Sequence, residues 1–255
     1  MIISSLIRIW ENIEYPFYKD HLGSEMTFKD MLDIPVNGID DINQGDVVGI
    51  VGDFNPESVS TLLHLLDKGA IVVPLSQVTR SQHEFFLRQS HCQYLFEENC
   101  ISNNYYACKS NHFMLERLRQ KKHSGLILFT TGTTGSPKAI LHDFVPFIER
   151  YSTPRQSLKA LSFLLFDHIG GLNTLFHVLF NLGQVISIKE RTVEDVLEAI
   201  NQHSIELLPT TPTFLRMLSL YPGLEKKIPN SLKLITYGTC LLYTSPSPRD
   251  KRQSR

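Results

Sequence analysis

The chain has 255 residues, 42% of them hydrophobic and 20% charged, with a formal net charge of -1. That is enough apolar material for a sizeable core in one or two domains. A near-neutral balance without a lysine or arginine stripe excludes nucleic acid as an expected partner, and no apolar run approaches the ~20 residues of a membrane span.

In chain order, the opening "MIISSLIRIWENIEYPF" takes Arg8, Glu11 and Glu14 before any long apolar run forms. It lacks the layout of a signal peptide, so an irregular start and a cytoplasmic location are expected. "GDVVGIVGD" (45–53) then reads as a short buried strand. A helix follows, with Asn55 as cap, Pro56 at the first helical position and Gly69 just past the end. Val59, Leu62, Leu63 and Leu66 keep helical spacing on one face. "AIVVPL" is the next strand, so the three elements make a βαβ unit and a parallel sheet.

The alternation continues with a helix in "SQHEFFLRQS", a strand in "QYLFE", a polar connection carrying "SNNYYACKSN" and a short helix near Leu115–Lys121. "GLILFTT" and "AILHD" read as adjacent strands. "LKALSFLL", "QVISI", the start of "IELLPTTPTFLRML" and "LKLITYGT" are further strands. Helices fall in "GGLNTLFHVLF", in "TVEDVLEAINQH" with Thr192 as cap, and in the second half of "IELLPTTPTFLRML". The expected fold is α/β: doubly wound sheets with flanking helices, the strand number calling for two stacked sheets. Cys92, Cys100 and Cys108 stand eight apart, too far for a paired C-x-x-C, so free thiols in a reducing compartment are expected and no metal site is assigned.

The last residues stand apart. "CLLYTSPSPRD" (240–250) is identical to one translated frame of a transposase-type sequencing-library adaptor. Residues 240–255 are therefore expected to be an artefactual or disordered tail, and 1–239 a partial domain. Without the tail, 21 basic residues face 25 acidic ones, a net charge of -4.

Between the strands "GLILF" and "AILH" lies "TTGTTGSPK", Thr130 to Lys138. A glycine-rich loop joining two strands can turn its N–H groups inward as an anion nest, to which threonine hydroxyls and one ammonium add donors. Four hydroxyls and a lysine suit a polyphosphate better than a carboxylate. The Walker A pattern, G-x-x-x-x-G-K-[ST], needs a glycine directly before its lysine and a helix after it. Here five residues separate Gly132 from Lys138, as in that pattern, but Pro137 precedes the lysine and the following run reads as strand.

This string resembles the phosphate-loop signature of the adenylate-forming superfamily (acyl-CoA synthetases, luciferases and adenylation domains), T-[ST]-G-T-T-G-x-P-K, at every core position. "FDHIGGLNTLF" resembles that family's substrate-site motif, and "LKLITYGT" the strand carrying its adenine-contacting loop. The resemblance spans residues 45 to 239. It implies the large N-terminal domain of the fold, truncated, and ATP-dependent activation of a small-molecule carboxylic acid through an acyl-adenylate. A thiol acceptor follows, either CoA or the phosphopantetheine of an acyl carrier protein.

The same resemblance implies that Thr130, Thr131, Gly132, Thr133, Thr134, Gly135 and Lys138 hold the β- and γ-phosphates, Lys138 catalytically. It places His168 as a catalytic group near the reacting carboxylate and Phe166 on the wall of the site. Gly170 and Gly171 would let the acyl group pass close to the backbone. Gly238 and Thr239 would line the adenine or α-phosphate side, and "PTTPTF" a wall of the acyl pocket. Asp167 carries no assigned role. The family's Mg²⁺-holding acid, its ribose-binding aspartate and its C-terminal lysine have no counterpart in 1–239, so this chain by itself is expected to be inactive. Three alternatives stay open: a non-catalytic nucleotide-binding module, a stand-alone adenylation enzyme that loads a carrier protein, and an unrelated kinase or NTPase with Asp143 as metal ligand.

Overall fold

The computed structural model describes residues 2–98, 100–103, 112–130, 136–224 and 228–238. Strands β1 (Tyr18–Lys19) and β2 (Glu25–Met26) come early. β3 (Val47–Val51), β4 (Ile71–Leu75), β5 (Tyr94–Glu97), β6 (Cys100–Asn103), β7 (Gly125–Thr130) and β8 (Lys138–Asp143) follow. β9 (Lys159–Leu161), β10 (Gln184–Ile186), β11 (Leu207–Thr210) and β12 (Leu234–Tyr237) complete the set.

They form two six-stranded sheets. Sheet I has the order β6-β5-β3-β4-β7-β8, sheet II the order β12-β11-β9-β10-β1-β2. The inner pairs are parallel, while β5–β6, β7–β8 and β1–β2 are antiparallel. The doubly wound reading with two sheets is therefore met.

The helices are α1 (Ile2–Trp10), α2 (Phe28–Leu32), α3 (Pro56–Asp67), α4 (His83–Gln89) and α5 (Phe113–Gln120). The second half of the chain adds α6 (Phe144–Glu149), α7 (Ile169–Phe180), α8 (Val193–His203) and α9 (Pro212–Ser219). Strand alternation sorts the apolar side chains into three cores. Val48, Ile50, Val72, Leu126 and Leu128 of sheet I join Ala160, Val185 and Leu207 of sheet II, with α1, α3, α6 and α7 between them. Their neighbours in sequence point outward: Val47, Ile71, Val73 and Ile127 pack with α4 and α5, and Leu161, Ile186 and Leu208 with α8 and α9. Period-two alternation thus gives each sheet two covered faces, as a parallel sheet requires.

Local chemistry sets the element ends. Asn55 accepts from the Ser58 N–H at 2.8 Å, Pro56 opens α3, and Gly69 takes φ +83° just beyond it. Thr192 caps α8 through the Asp195 N–H. The expected irregular start is wrong. Ile2, Leu6 and Trp10, spaced i, i+4, i+8, bury one face of α1 in the central core. The Trp10 indole N–H donates to the Leu179 carbonyl at 2.8 Å, and its ring stacks on Phe28. β1 then enters sheet II beside β10, with Tyr18 opposite Val185. The strand expected across "LKALSFLL" stops at Leu161, where the chain leaves the sheet for α7. Residues 240–255 lie outside the described residues.

Candidate active site

The strands that flank the phosphate-loop string pair antiparallel. β7 and β8 pair from Gly125↔Asp143 to Thr130↔Lys138. Thr130 and Lys138 face each other at the end of the ladder next to the loop, both exposed. Thr131, Gly132, Thr133, Thr134 and Gly135 lie outside the described residues. A strand directly after Lys138 disposes of the Walker A arrangement, which needs a helix there. Asp143 is committed elsewhere: it caps α6 and binds Lys121 at 3.1 Å and His123 at 2.9 Å.

Across from that end of the ladder stands the start of α7. A cavity of about 50 Å³ is lined by Thr130 and Pro137 on one side and by Asp167 and His168 on the other, with Thr79 and Phe86 between them. The fold therefore brings the flanks of the phosphate loop and His168 to one opening, although they are far apart in sequence. His168 is the N-cap residue of α7, in extended conformation and making no side-chain cap bond. Its ring is 45% exposed, and Nδ1 bonds Asp167 Oδ1 at 2.7 Å. The first-turn N–H groups of α7 thus have no side-chain cap, which leaves a helix N-terminus that favours negative charge.

The other expected residues divide. Phe166 is fully buried and packs edge-on against Phe54, ring centroids 5.4 Å apart, so it seats the helix start in the core. A Cβ on Gly171 would fall 2.4 Å from the Leu165 carbonyl oxygen and 2.8 Å from Phe54 Cζ. Gly171 is there because the chain crosses itself and the Phe54 ring at that point. Gly170 is different: a Cβ would meet only Leu164 Cδ1, at 2.8 Å, and the residue borders a larger cavity of about 460 Å³. Gly238 lies on the far wall of that cavity. Thr239 is outside the described residues.

The larger cavity also reaches the "PTTPTF" stretch through Thr210, which closes β11; its hydroxyl is buried and finds no hydrogen-bond partner among the described residues. Thr211 caps α9 through the Phe214 N–H at 3.2 Å. His177, on the same cavity, is pushed below the ordinary imidazole value by burial, with the Arg155 charge adding to the effect. Tyr151 is raised to about 12 by burial. A third cavity of about 610 Å³, at the ends of β3 and β4, holds none of the expected residues and is lined by Asp53, Glu57, Glu97 and Arg191.

Asp167, left without a role by sequence, is the most heavily bonded group at the small opening. Burial works to raise its carboxyl. Hydrogen bonds from His168 and Ser76, the His168 charge and a bond from Thr79 outweigh that and hold it below the usual carboxylate range. Among the described residues no group of three or more His, Cys, Asp or Glu side chains could hold a metal ion. No described helix is long and apolar enough to cross a membrane.

Comparison with known proteins bears on the fold and on the family. The chain is 24% identical over 238 residues to the 2-succinylbenzoate–CoA ligase of Bacillus pumilus (strain SAFR-032), a match covering 83% of this chain and 48% of that protein. It is 21% identical over 205 residues to bacitracin synthase 1 of Bacillus licheniformis, covering 76% of this chain and 4% of that one. The chain thus spans about half or much less of these relatives. Among solved structures, the Klebsiella oxytoca NpsA N-terminal subdomain in complex with 3-hydroxybenzoyl-AMSN superposes with a TM-score of 0.71 at 16% identity, over 92% of this chain and 64% of that one. The Bacillus subtilis o-succinylbenzoate CoA synthetase (MenE) in complex with the acyl-adenylate intermediate OSB-AMP gives 0.66 at 20% identity, over 92% and 68%. These likenesses establish the fold. The AMP-binding enzyme family matches residues 39–242, and the chain belongs to that family.

Proposed function

We infer that the protein to which this chain belongs activates a small carboxylic acid with ATP, forming an acyl-adenylate and pyrophosphate. The observation that carries this reading is the shared opening where Thr130, Pro137 and His168 meet. Lys138 stands on the same hairpin end and makes no ion pair with a described residue. In adenylation the acid's oxygen attacks the α-phosphorus and pyrophosphate leaves, so charge accumulates on phosphate oxygens. Donors fixed around those oxygens lower the barrier most. On this reading Thr130 to Gly135 and Lys138 hold the β- and γ-phosphates. The α7 N-terminus and His168 face the carboxylate, while the cavity between Gly170, Thr210 and Gly238 receives the acyl and nucleoside parts.

The relatives include both CoA ligases and peptide synthetases. They support a thiol acceptor that is either CoA or a carrier-bound phosphopantetheine. The test is ATP–pyrophosphate exchange by the intact parent across a panel of acids. Exchange with at least one acid, lost in Lys138→Ala, is the expected result. The 255-residue chain alone is expected to show none above its own Lys138→Ala control. An intact parent without exchange for any acid, and with ATP affinity indifferent to Lys138→Ala, ends the proposal.

A further inference from the structure

Asp167 and His168 are neighbours in sequence, yet the carboxylate between them is held by a distant part of the chain. Asp167 is 7% exposed. Its Oδ2 accepts from Ser76 Oγ at 2.8 Å, from Thr79 Oγ1 at 2.9 Å and from the Ser76 N–H at 3.3 Å. Its Oδ1 faces His168 Nδ1 at 2.7 Å. Ser76 directly follows β4 and Thr79 lies in the 3₁₀ turn after it. The pair therefore fastens the entry of α7 to the carboxyl end of sheet I.

We propose that Asp167 is a positioning residue that locks the His168 imidazole in the Nδ1–H tautomer and fixes the bearing of Nε2 on the opening beside Thr130 and Pro137. An ionised carboxylate only accepts, so the ring nitrogen facing it carries the proton. Nδ1–H···Oδ1 then pins the ring plane, and Nε2, which has no partner among the described residues, is left for a ligand. The catalytic meaning of this lock rests on the adenylation reading; the tautomer does not.

The charged and titratable groups around the pair are few. His83 bonds the Ser76 carbonyl through Nε2 at 2.9 Å. Burial, the largest influence, pushes His83 below the ordinary imidazole value. Arg80, close to His83, is ion-paired with Glu97. The Ser76 and Thr79 donors also make a sharp prediction for Asp167→Asn. They keep an oxygen on their side, so the new NH₂ group faces His168 Nδ1. That nitrogen must then give up its proton and accept, and the ring switches to Nε2–H with little change in shape. The same logic governs the aspartate of a Ser-His-Asp triad.

The experiment is ¹⁵N NMR of the histidine-labelled 255-residue chain at a pH where the rings are neutral, with His168 assigned by His168→Gln. The wild type is expected to show a protonated Nδ1 and an unprotonated Nε2 at His168, and Asp167→Asn to exchange the two. A wild-type His168 with its proton on Nε2, or an unchanged pattern in Asp167→Asn, overturns the proposal. If Asp167→Asn does not fold, the wild-type spectrum alone decides.

In the intact parent, Asp167→Asn is expected to lower kcat for pyrophosphate exchange by about 10–100-fold, the usual range for a residue orienting a functional ligand, with KM for ATP unchanged. A merely structural aspartate would lower the folded fraction and leave kcat per folded molecule alone, and that result also overturns the proposal. A wild-type parent without exchange would sink the adenylation reading while the NMR result stood on its own.

Discussion

Adding one methyl group to Gly171 and to Gly170 in turn separates packing from function at the start of α7. A Cβ at Gly171 would sit 2.4 Å from a backbone carbonyl oxygen, that of Leu165, and 2.8 Å from a ring atom of the buried Phe54. Ordinary contact needs about 1 Å more, and neither neighbour is the far end of a flexible side chain. Overpacking of this kind costs about 1–3 kcal/mol, against a helix-propensity gain of up to about 1 kcal/mol for replacing glycine by alanine. Gly171→Ala should therefore lose about 1–2 kcal/mol. In a chain of this size that is about 2–8 °C in Tm. At Gly170 the only close atom is Leu164 Cδ1, which can rotate away into the cavity. The propensity term then wins, and Gly170→Ala should be neutral or more stable by up to about 1 kcal/mol. Urea unfolding of the two variants beside wild type, followed by far-UV circular dichroism, measures both. Equal destabilisation by the two substitutions, or a Gly171→Ala as stable as wild type, would refute the packing account.

Three other outcomes follow from the same structure. Trp10→Ala removes a buried indole, its bond to the Leu179 carbonyl and its stack on Phe28, and should cost about 3–5 kcal/mol by thermal unfolding. Thr210→Val deletes a buried hydroxyl without a described partner; stability should hold or rise by up to about 1 kcal/mol, while acid binding by the intact parent weakens if that hydroxyl meets the ligand. The folded-state carboxyl of Asp167 is depressed, so its contribution is complete above the ordinary value of ~3.9 and disappears as pH falls through the lower folded value. The advantage of wild type over Asp167→Asn in urea should thus be full at about pH 6 and shrink below about pH 4; an advantage that grows in acid contradicts the assigned ionisation.

Much of the fold could be read locally because its signals are local. Asn55, Pro56 and Gly69 each perform at α3 the capping task their chemistry suits, and the apolar runs of β3 and β4 match a sheet covered on both faces. The N-terminal helix escaped for a physical reason. Ile3, Ile7 and Ile9 surround the buried Ile2–Leu6–Trp10 stripe with equally apolar residues, so its periodicity is blurred, and Ile7 is half exposed in the fold.

The site divides in the same way. The hairpin and His168 are contiguous motifs. Asp167 drew no role from sequence because its partners, Ser76 and Thr79, become neighbours only when sheet I meets the loop after β9. Phe166 and Gly171, which the resemblance placed at the ligand, also pack against Phe54, a contact no local pattern announces. No local pattern distinguishes a glycine that admits a substrate from one that admits a phenylalanine.

The placement of β1 has a bearing on how the molecule assembles. Every strand of sheet I is drawn from residues 47–143, so that half can zip up as soon as its own segment is available. Sheet II instead has to seat Tyr18 against Val185, a contact that cannot form until most of the polypeptide exists. Loop closure over such a span is slow compared with neighbouring pairings. During synthesis at about 5–20 residues per second, β1 therefore waits for many seconds for the strand that receives it.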